Sequence, residues 1–266
     1  MLHLDDPGLD TTTARGLRDY QCKVDNAGSY PEQVATGKRL FERYKHRTNR
    51  VFKVVRTRLA DMCPGAQRCG YCEDSVGDEV EHIKPKDLYP QQVFVWENYL
   101  FACGQCNGGK NNRFSVISRG RLRDVTRRRN DPIRRPEAGS PALINPRDED
   151  PLAFFDLEIT ETFVFLPRMD LSGIDEQRAH YTIDTLKLNR DVLLAARREA
   201  YGAYRARLFE YRQRRDNGAS ETALRKRSNA IMTSAHPTVW REMQRQRSLV
   251  DELRELFSDV PEALSW

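Results

Sequence analysis

The chain has 266 residues, 39% of them hydrophobic and 31% charged, which is the composition of a soluble globular protein and excludes a disordered one. Its length allows one large domain or two modest ones. A net charge of +5 with a pI near 8.9 favours a polyanionic partner only mildly, and without a run of about 18 apolar residues no membrane span is expected.

Residues 1–30 read as an irregular lead-in, with Pro7, Gly8, Gly16 and Gly28 as breakers. Met1 to Gly8 carry two acids and no apolar stretch follows, so a secretory signal is not expected and a cytoplasmic location is. From Pro31 to Met62 the pattern turns helical: Leu40, Tyr44, Val51, Val55, Leu59 and Met62 recur at helical steps between Lys and Arg. Pro64 and Gly65 end that stretch, so the first unit is placed at 1–62 and a motif core at 63–114. Residues 115–150, rich in Arg, Pro and Asp, read as an ordered loop or linker. In the last unit, 151–266, Phe155, Leu157 and Ile159 alternate, as do Phe163 and Phe165, predicting a short strand pair. Helices follow. Leu193, Ala196, Ala200, Tyr204, Leu208 and Tyr211 make one apolar stripe, and a further helix is predicted over Pro237 to Phe257, with Pro237 in its first turn. The fold class is therefore α+β: a small core between an N-terminal helix and a mostly helical C-terminal region.

Six cysteines without a secretion signal point to metal rather than to disulfides. Cys69 and Cys72 form one C-x-x-C pair, and Cys103 and Cys106 another, with thirty residues between the pairs. Two such knuckles present four thiolates tetrahedrally, which predicts a structural Zn²⁺ with a closed coordination shell. Gly70 and Gly104 suit the tight turn of a knuckle. A redox disulfide needs one pair and not two. Cys22 and Cys63 lack such partners and read as ordinary buried thiols.

Between the knuckles lies EVEHIKPK, residues 79–86, then Trp96, Glu97 and Asn98; the second knuckle runs into Asn107 and Lys110. In these residues the chain resembles the HNH endonuclease family, over about 46 residues from Cys69 to Phe114. The resemblance implies a ββα-metal core and metal-dependent hydrolysis of phosphodiester bonds, in DNA ahead of RNA. Such hydrolysis needs a nucleophilic water and charge stabilisation on the phosphoryl oxygens. His82 is the candidate general base, and Glu81 and Asn107 are candidate oxygen ligands for Mg²⁺ or Mn²⁺. Asn98 resembles the family residue that fixes the active-site loop by hydrogen bonds. If a helix begins near Gln105, Asn107 and Lys110 lie one turn apart, so that Lys110 can contact a phosphate while Asn107 holds the metal. Glu81 stands where many members have Asp, and Asn107 where the commoner form has His. Neighbours on a strand face opposite ways, so Glu81 and His82 share a site only where the strand ends or twists. His180 and His236, without acidic or cysteine partners in the pattern, read as structural, and Trp96 as core packing.

From Arg113 to Arg135 there are nine arginines against two acids. Of these, Arg113, Arg119, Arg121, Arg123, Arg127, Arg128 and Arg129 are candidate nucleic-acid contacts, because the guanidinium fork pairs with phosphate oxygens. A solvated face or a docking site for a protein partner is the competing reading of that run. More loosely, RCGYCE, VEHIKPKDLYP, FVWENYLFACGQCN, PALINPRDEDP and HYTIDTLKLNR are similar to HNH nucleases of Septu-type and some retron-associated anti-phage systems. That resemblance implies an ATPase partner subunit; a homodimer is allowed, and a membrane partner is not expected. The alternatives are a ribonuclease of the same chemistry, acting for example on tRNA, and a catalytically silent zinc module that only binds nucleic acid. The presence of both Glu81 and His82 speaks against silence.

Overall fold

The computed structural model describes all 266 residues. Three helices come first: α1 (Thr11–Asp25), α2 (Tyr30–Tyr44) and α3 (Arg50–Met62). The expected irregular lead-in is thus corrected to a short segment followed by α1. Asp10 caps that helix, its carboxylate accepting from the Thr13 N–H at 2.9 Å and the Thr13 hydroxyl at 2.6 Å. Gly16 is no breaker there. A Cβ at Gly16 would fall 2.5 Å from Val51 Cγ2, so this glycine lets α1 and α3 approach closely. The periodic stretch to Met62 is two helices, α3 restarting at Asn49, whose side chain accepts from the N–H groups of Val51 and Phe52.

The central sheet has two antiparallel strands, β1 (Glu79–His82) and β2 (Tyr99–Ala102), with Glu79 opposite Ala102 and His82 opposite Tyr99. Helix α4 (Gly104–Lys110) follows β2 directly. All four residues of β2 are buried, and its alternation assigns them to two different apolar cores. Tyr99 and Phe101 join the core of α1–α3, with Leu17, Val24, Phe41, Phe52 and Leu59. Leu100 and Ala102 join the other, with the four knuckle cysteines, Phe114 and the C-terminal helices. Because β1 pairs only with β2, its second edge is free, and side chains from both its faces meet along that edge.

The segment read as a loop or linker contains a second sheet, which corrects that expectation. Strand β3 (Ser115–Ser118) lies between β4 (Arg121–Asp124) and β5 (Ser140–Pro141), and Arg119 and Gly120, both at positive φ, turn the β3–β4 hairpin. Strands β6 (Phe155–Leu157) and β7 (Phe165–Pro167) pair antiparallel. Five helices complete the chain: α5 (Gly173–Leu186), α6 (Asp191–Asp216), α7 (Glu221–Met232), α8 (Pro237–Arg245) and α9 (Asp251–Asp259). The single helix predicted over 237–257 is therefore two, separated by Gln246–Val250. From the α6 stripe Leu193, Tyr204, Leu208 and Tyr211 are buried; so is Arg197, which donates to the carbonyls of Phe163 (3.0 Å) and Leu188 (2.7 Å). No helix is long and apolar enough to cross a membrane.

Candidate active site and cysteine cluster

The four knuckle cysteines converge. Their Sγ atoms all lie within 4.8 Å of one another, all four residues are buried, and none is in a disulfide. A tetrahedron with Zn–S bonds of about 2.3 Å has edges of about 3.8 Å. Cys72 Sγ and Cys103 Sγ are 3.8 Å apart. The cluster is therefore consistent with a structural zinc. Neither knuckle glycine adopts a left-handed φ. Gly70 is needed for close approach instead: a Cβ there would lie 3.0 Å from Leu4 Cδ1 and 3.3 Å from the Phe101 carbonyl oxygen. The Arg190 guanidinium, at the start of α6, sits 3.8 Å and 3.9 Å from Cys106 Sγ and sets a positive charge against the thiolates. No sequence signal pointed to it, because 84 positions separate the two residues. Of the remaining cysteines Cys63 is half-buried, whereas Cys22 is exposed, contrary to expectation.

His82 ends β1 and is buried, its ring edge-on to Phe41 (4.4 Å) and Tyr99 (5.2 Å between ring centres). Its Nε2 is 3.0 Å from the Val93 carbonyl oxygen, which also accepts from the Tyr99 hydroxyl. A carbonyl only accepts, so Nε2 carries the proton and Nδ1 keeps its lone pair. Burial, reinforced by the charges of Lys86 and Lys110, pushes the imidazole pKa down to about 3 and keeps the ring neutral.

Asn98 is buried where the chain enters β2. Its amide donates to the carbonyls of Lys84 (3.0 Å) and Gln92 (2.9 Å), and its oxygen accepts from the Lys84 N–H (2.7 Å). All three bonds are to backbone, and they pin both ends of the segment between the strands. The Val93 carbonyl that orients His82 directly follows Gln92.

Glu79 and Glu81 share one face of β1, towards α4. Asn107 donates to Glu79 Oε2 at 2.6 Å, which leaves its own Oδ1 unbonded, and Lys110 donates to Glu81 Oε1 at 2.6 Å and to the His82 carbonyl at 2.9 Å. Asn107 and Lys110 thus do lie one turn apart on a helix. The post of Lys110 differs from the one expected, because its ammonium is fully buried and committed to Glu81, not turned towards a phosphate. Burial raises the Glu81 carboxyl pKa against the pull of that ammonium. Replacing Lys110 with methionine is expected to cost about 3–5 kcal/mol, since it strands a buried carboxylate. Chemical denaturation reads this directly; a variant as stable as wild type but weaker in nucleic-acid binding would restore the phosphate role.

These groups meet in a cleft of about 310 Å³ along the free edge of β1, lined by Glu79, Glu81, His82, Lys86 and Asn107 among others. The two faces of the strand therefore contribute to one site, as anticipated for its end. Glu79 was missed, although its i, i+2 spacing to Glu81 marks the same face. Carboxylate and amide oxygens beside a neutral imidazole are a donor set suited to Mg²⁺ or Mn²⁺.

Asn111 and Asn112 also line a second depression of about 610 Å³, together with Lys38, Arg113, Arg127, Arg128 and Arg129. Arg127 is a strut, donating to the carbonyls of Asp87 and Arg134 and to the Tyr30 hydroxyl. The guanidinium groups of Arg113, Arg128 and Arg129 make no ion pair and are exposed. Arg119, Arg121 and Arg123 stand exposed on the β3–β4 hairpin and line neither depression. His180 is exposed, while His236 proves to have an acidic partner, Asp74, at 3.3 Å. Trp96 is buried, its indole N–H donating to Asp6 and its ring under the Arg147 guanidinium, as befits core packing.

Residues 68–113 match the HNH endonuclease family. Over 77 residues the chain is 35% identical to the Septu protein PtuB of Bacillus thuringiensis, a match covering 27% of this chain and 30% of that protein. The chain thus spans about a third of the length of the curated relative it matches. With the strand–strand–helix order of β1, β2 and α4 and the convergence of the four thiols, residues 68–113 constitute an HNH endonuclease domain with a buried four-cysteine cluster, and the chain is a distant relative of PtuB.

Proposed function

We propose that the protein is a metal-dependent DNA endonuclease. The observation that carries this reading is the orientation of His82: Nε2 is committed to the Val93 carbonyl, and the unprotonated Nδ1 belongs to a ring lining a cleft shared with Glu79, Glu81 and Asn107. In this reading His82 takes a proton from the attacking water, and Asn98 positions the segment whose carbonyl orients the imidazole. Glu81, Asn107 and Glu79 would hold the Mg²⁺ or Mn²⁺. That ion supplies Lewis-acid stabilisation of charge on the phosphoryl oxygens. Lys110 keeps Glu81 in place through their ion pair. The similarity to PtuB supports a place in an anti-phage system of the Septu type, where the resemblance implies an ATPase subunit beside the nuclease.

Incubation of the purified protein with plasmid, single-stranded DNA and tRNA, with Mg²⁺, with Mn²⁺ or with neither, tests the reading. Cleavage of plasmid that needs the added ion is expected. Cleavage of tRNA alone would make the enzyme a ribonuclease, and binding without cleavage would make it a silent module.

The arginine-lined depression gives the substrate backbone a path from the cleft. Changing both Arg128 and Arg129 to Gln is expected to weaken DNA binding at low salt and to flatten the log–log salt slope by about 0.9 for each phosphate no longer neutralised, without moving the cut position. An unchanged slope, together with failure to associate with a protein partner, would assign this run to docking.

A further inference from the structure

We propose that Lys86 is a catalytic residue, whose ammonium contacts a non-bridging oxygen of the phosphate being cleaved. This rests on the nuclease reading. With Lys110 sealed against Glu81, the lysine charge expected on the phosphate is not supplied by Lys110. Three cations line the cleft, Lys45, Arg56 and Lys86. Lys45 is paired with Glu42 at 2.6 Å. Arg56 is pinned by the carbonyls of Lys45 (3.3 Å) and Asp78 (2.9 Å). Lys86 makes neither an ion pair nor a hydrogen bond within the protein, although it is half-buried. None of the three ammonium donors is taken up by protein, so all of them are free to meet a ligand in the cleft.

Its placement relative to the base is set by one aromatic ring. Phe41, on α2, has the His82 imidazole 4.4 Å away edge-on and the Lys86 ammonium 5.4 Å from its centroid. The cation–π contact holds the charge without consuming its N–H donors. Lys86 follows His82 by four residues on the turn that leaves β1, and that turn is pinned at Lys84 by Asn98. Base and cation are therefore fixed to one scaffold before substrate arrives, which is the arrangement that stabilises developing negative charge without reorganisation. The depressed pKa of Lys86, caused first by burial, fits a site poor in water.

The test compares the full-length zinc-loaded wild type with Lys86→Met and Lys86→Arg on plasmid DNA. Melting temperature, DNA affinity, kcat and KM are measured for each, with tRNA as a parallel substrate. Lys86→Met is expected to lose about 10²- to 10³-fold in kcat with a melting temperature near wild type and a much smaller loss of DNA affinity, and Lys86→Arg to recover part of the loss. A well-folded Lys86→Met with wild-type kcat overturns the role of Lys86 while leaving the nuclease reading intact. Loss of kcat that tracks a fall in melting temperature in both variants makes Lys86 structural and also overturns it. A wild-type protein that cuts neither polymer with either ion overturns the nuclease reading, and the role of Lys86 with it.

Discussion

Replacing His82 with alanine is expected to slow phosphodiester cleavage by about 10²- to 10⁴-fold, the usual cost of removing a general base. Binding of nucleic acid and zinc content should stay near wild type, because a base acts on the attacking water and adds little to ground-state affinity. The side chain is buried between Phe41 and Tyr99, so alanine also leaves a gap in that core. His82→Gln separates the two effects. Its amide fills much of the space and can still donate to the Val93 carbonyl, but it offers no basic nitrogen. Both variants inactive, with the glutamine form melting close to wild type, is the expected result. Wild-type cleavage by His82→Gln would reduce His82 to a structural histidine.

Loss of a cluster thiolate should have the largest effect on folding. Cys103→Ser is expected to release the zinc and to unfold the region around β1, β2 and α4, since structural zinc contributes about 10–16 kcal/mol of apparent binding energy in small zinc modules. The four thiolates are buried within one of the two cores, and the Arg190 guanidinium beside Cys106 would then face a broken cluster. Metal analysis should find one zinc per wild-type chain and none in the variant, with loss of near-ultraviolet circular dichroism. A zinc-free wild type, or a Cys103→Ser protein with native spectra, would remove the zinc from the account.

What was legible in the sequence was local. Paired C-x-x-C spacing located all four thiols of the cluster, and the Glu-His pair with Asn98 and Asn107 located the cleft and the residue bracing it. What escaped depends on contacts across the fold. Lys110 was read as a phosphate contact because nothing in a linear motif says that Glu81 will face it from a strand 29 positions earlier. Gly16 looked like a breaker because its need for space arises from Val51 on another helix. The β3–β4 hairpin was hidden by composition: Arg121, Arg123 and Asp124 point to solvent, so the strand lacks the apolar rhythm by which strands are recognised. The Gln246–Val250 break between α8 and α9 carries no glycine or proline and left no signal.

The two-sided burial of β2 has a consequence for inheritance. Tyr99 and Phe101 insert into one core while Leu100 and Ala102 insert into the other, so the segment with the four-cysteine cluster is a keystone between its neighbours and not a detachable cassette. Gene transfer of residues 68–114 alone would deliver two uncovered apolar surfaces to the recipient protein, inviting aggregation. Lineages of this chain should therefore exchange the segment together with its flanking helices. Within such lineages, replacements along β2 should come paired with compensating changes in both the leading and the trailing helices, whereas the exposed hairpin around Arg119 and Gly120 remains free to diversify.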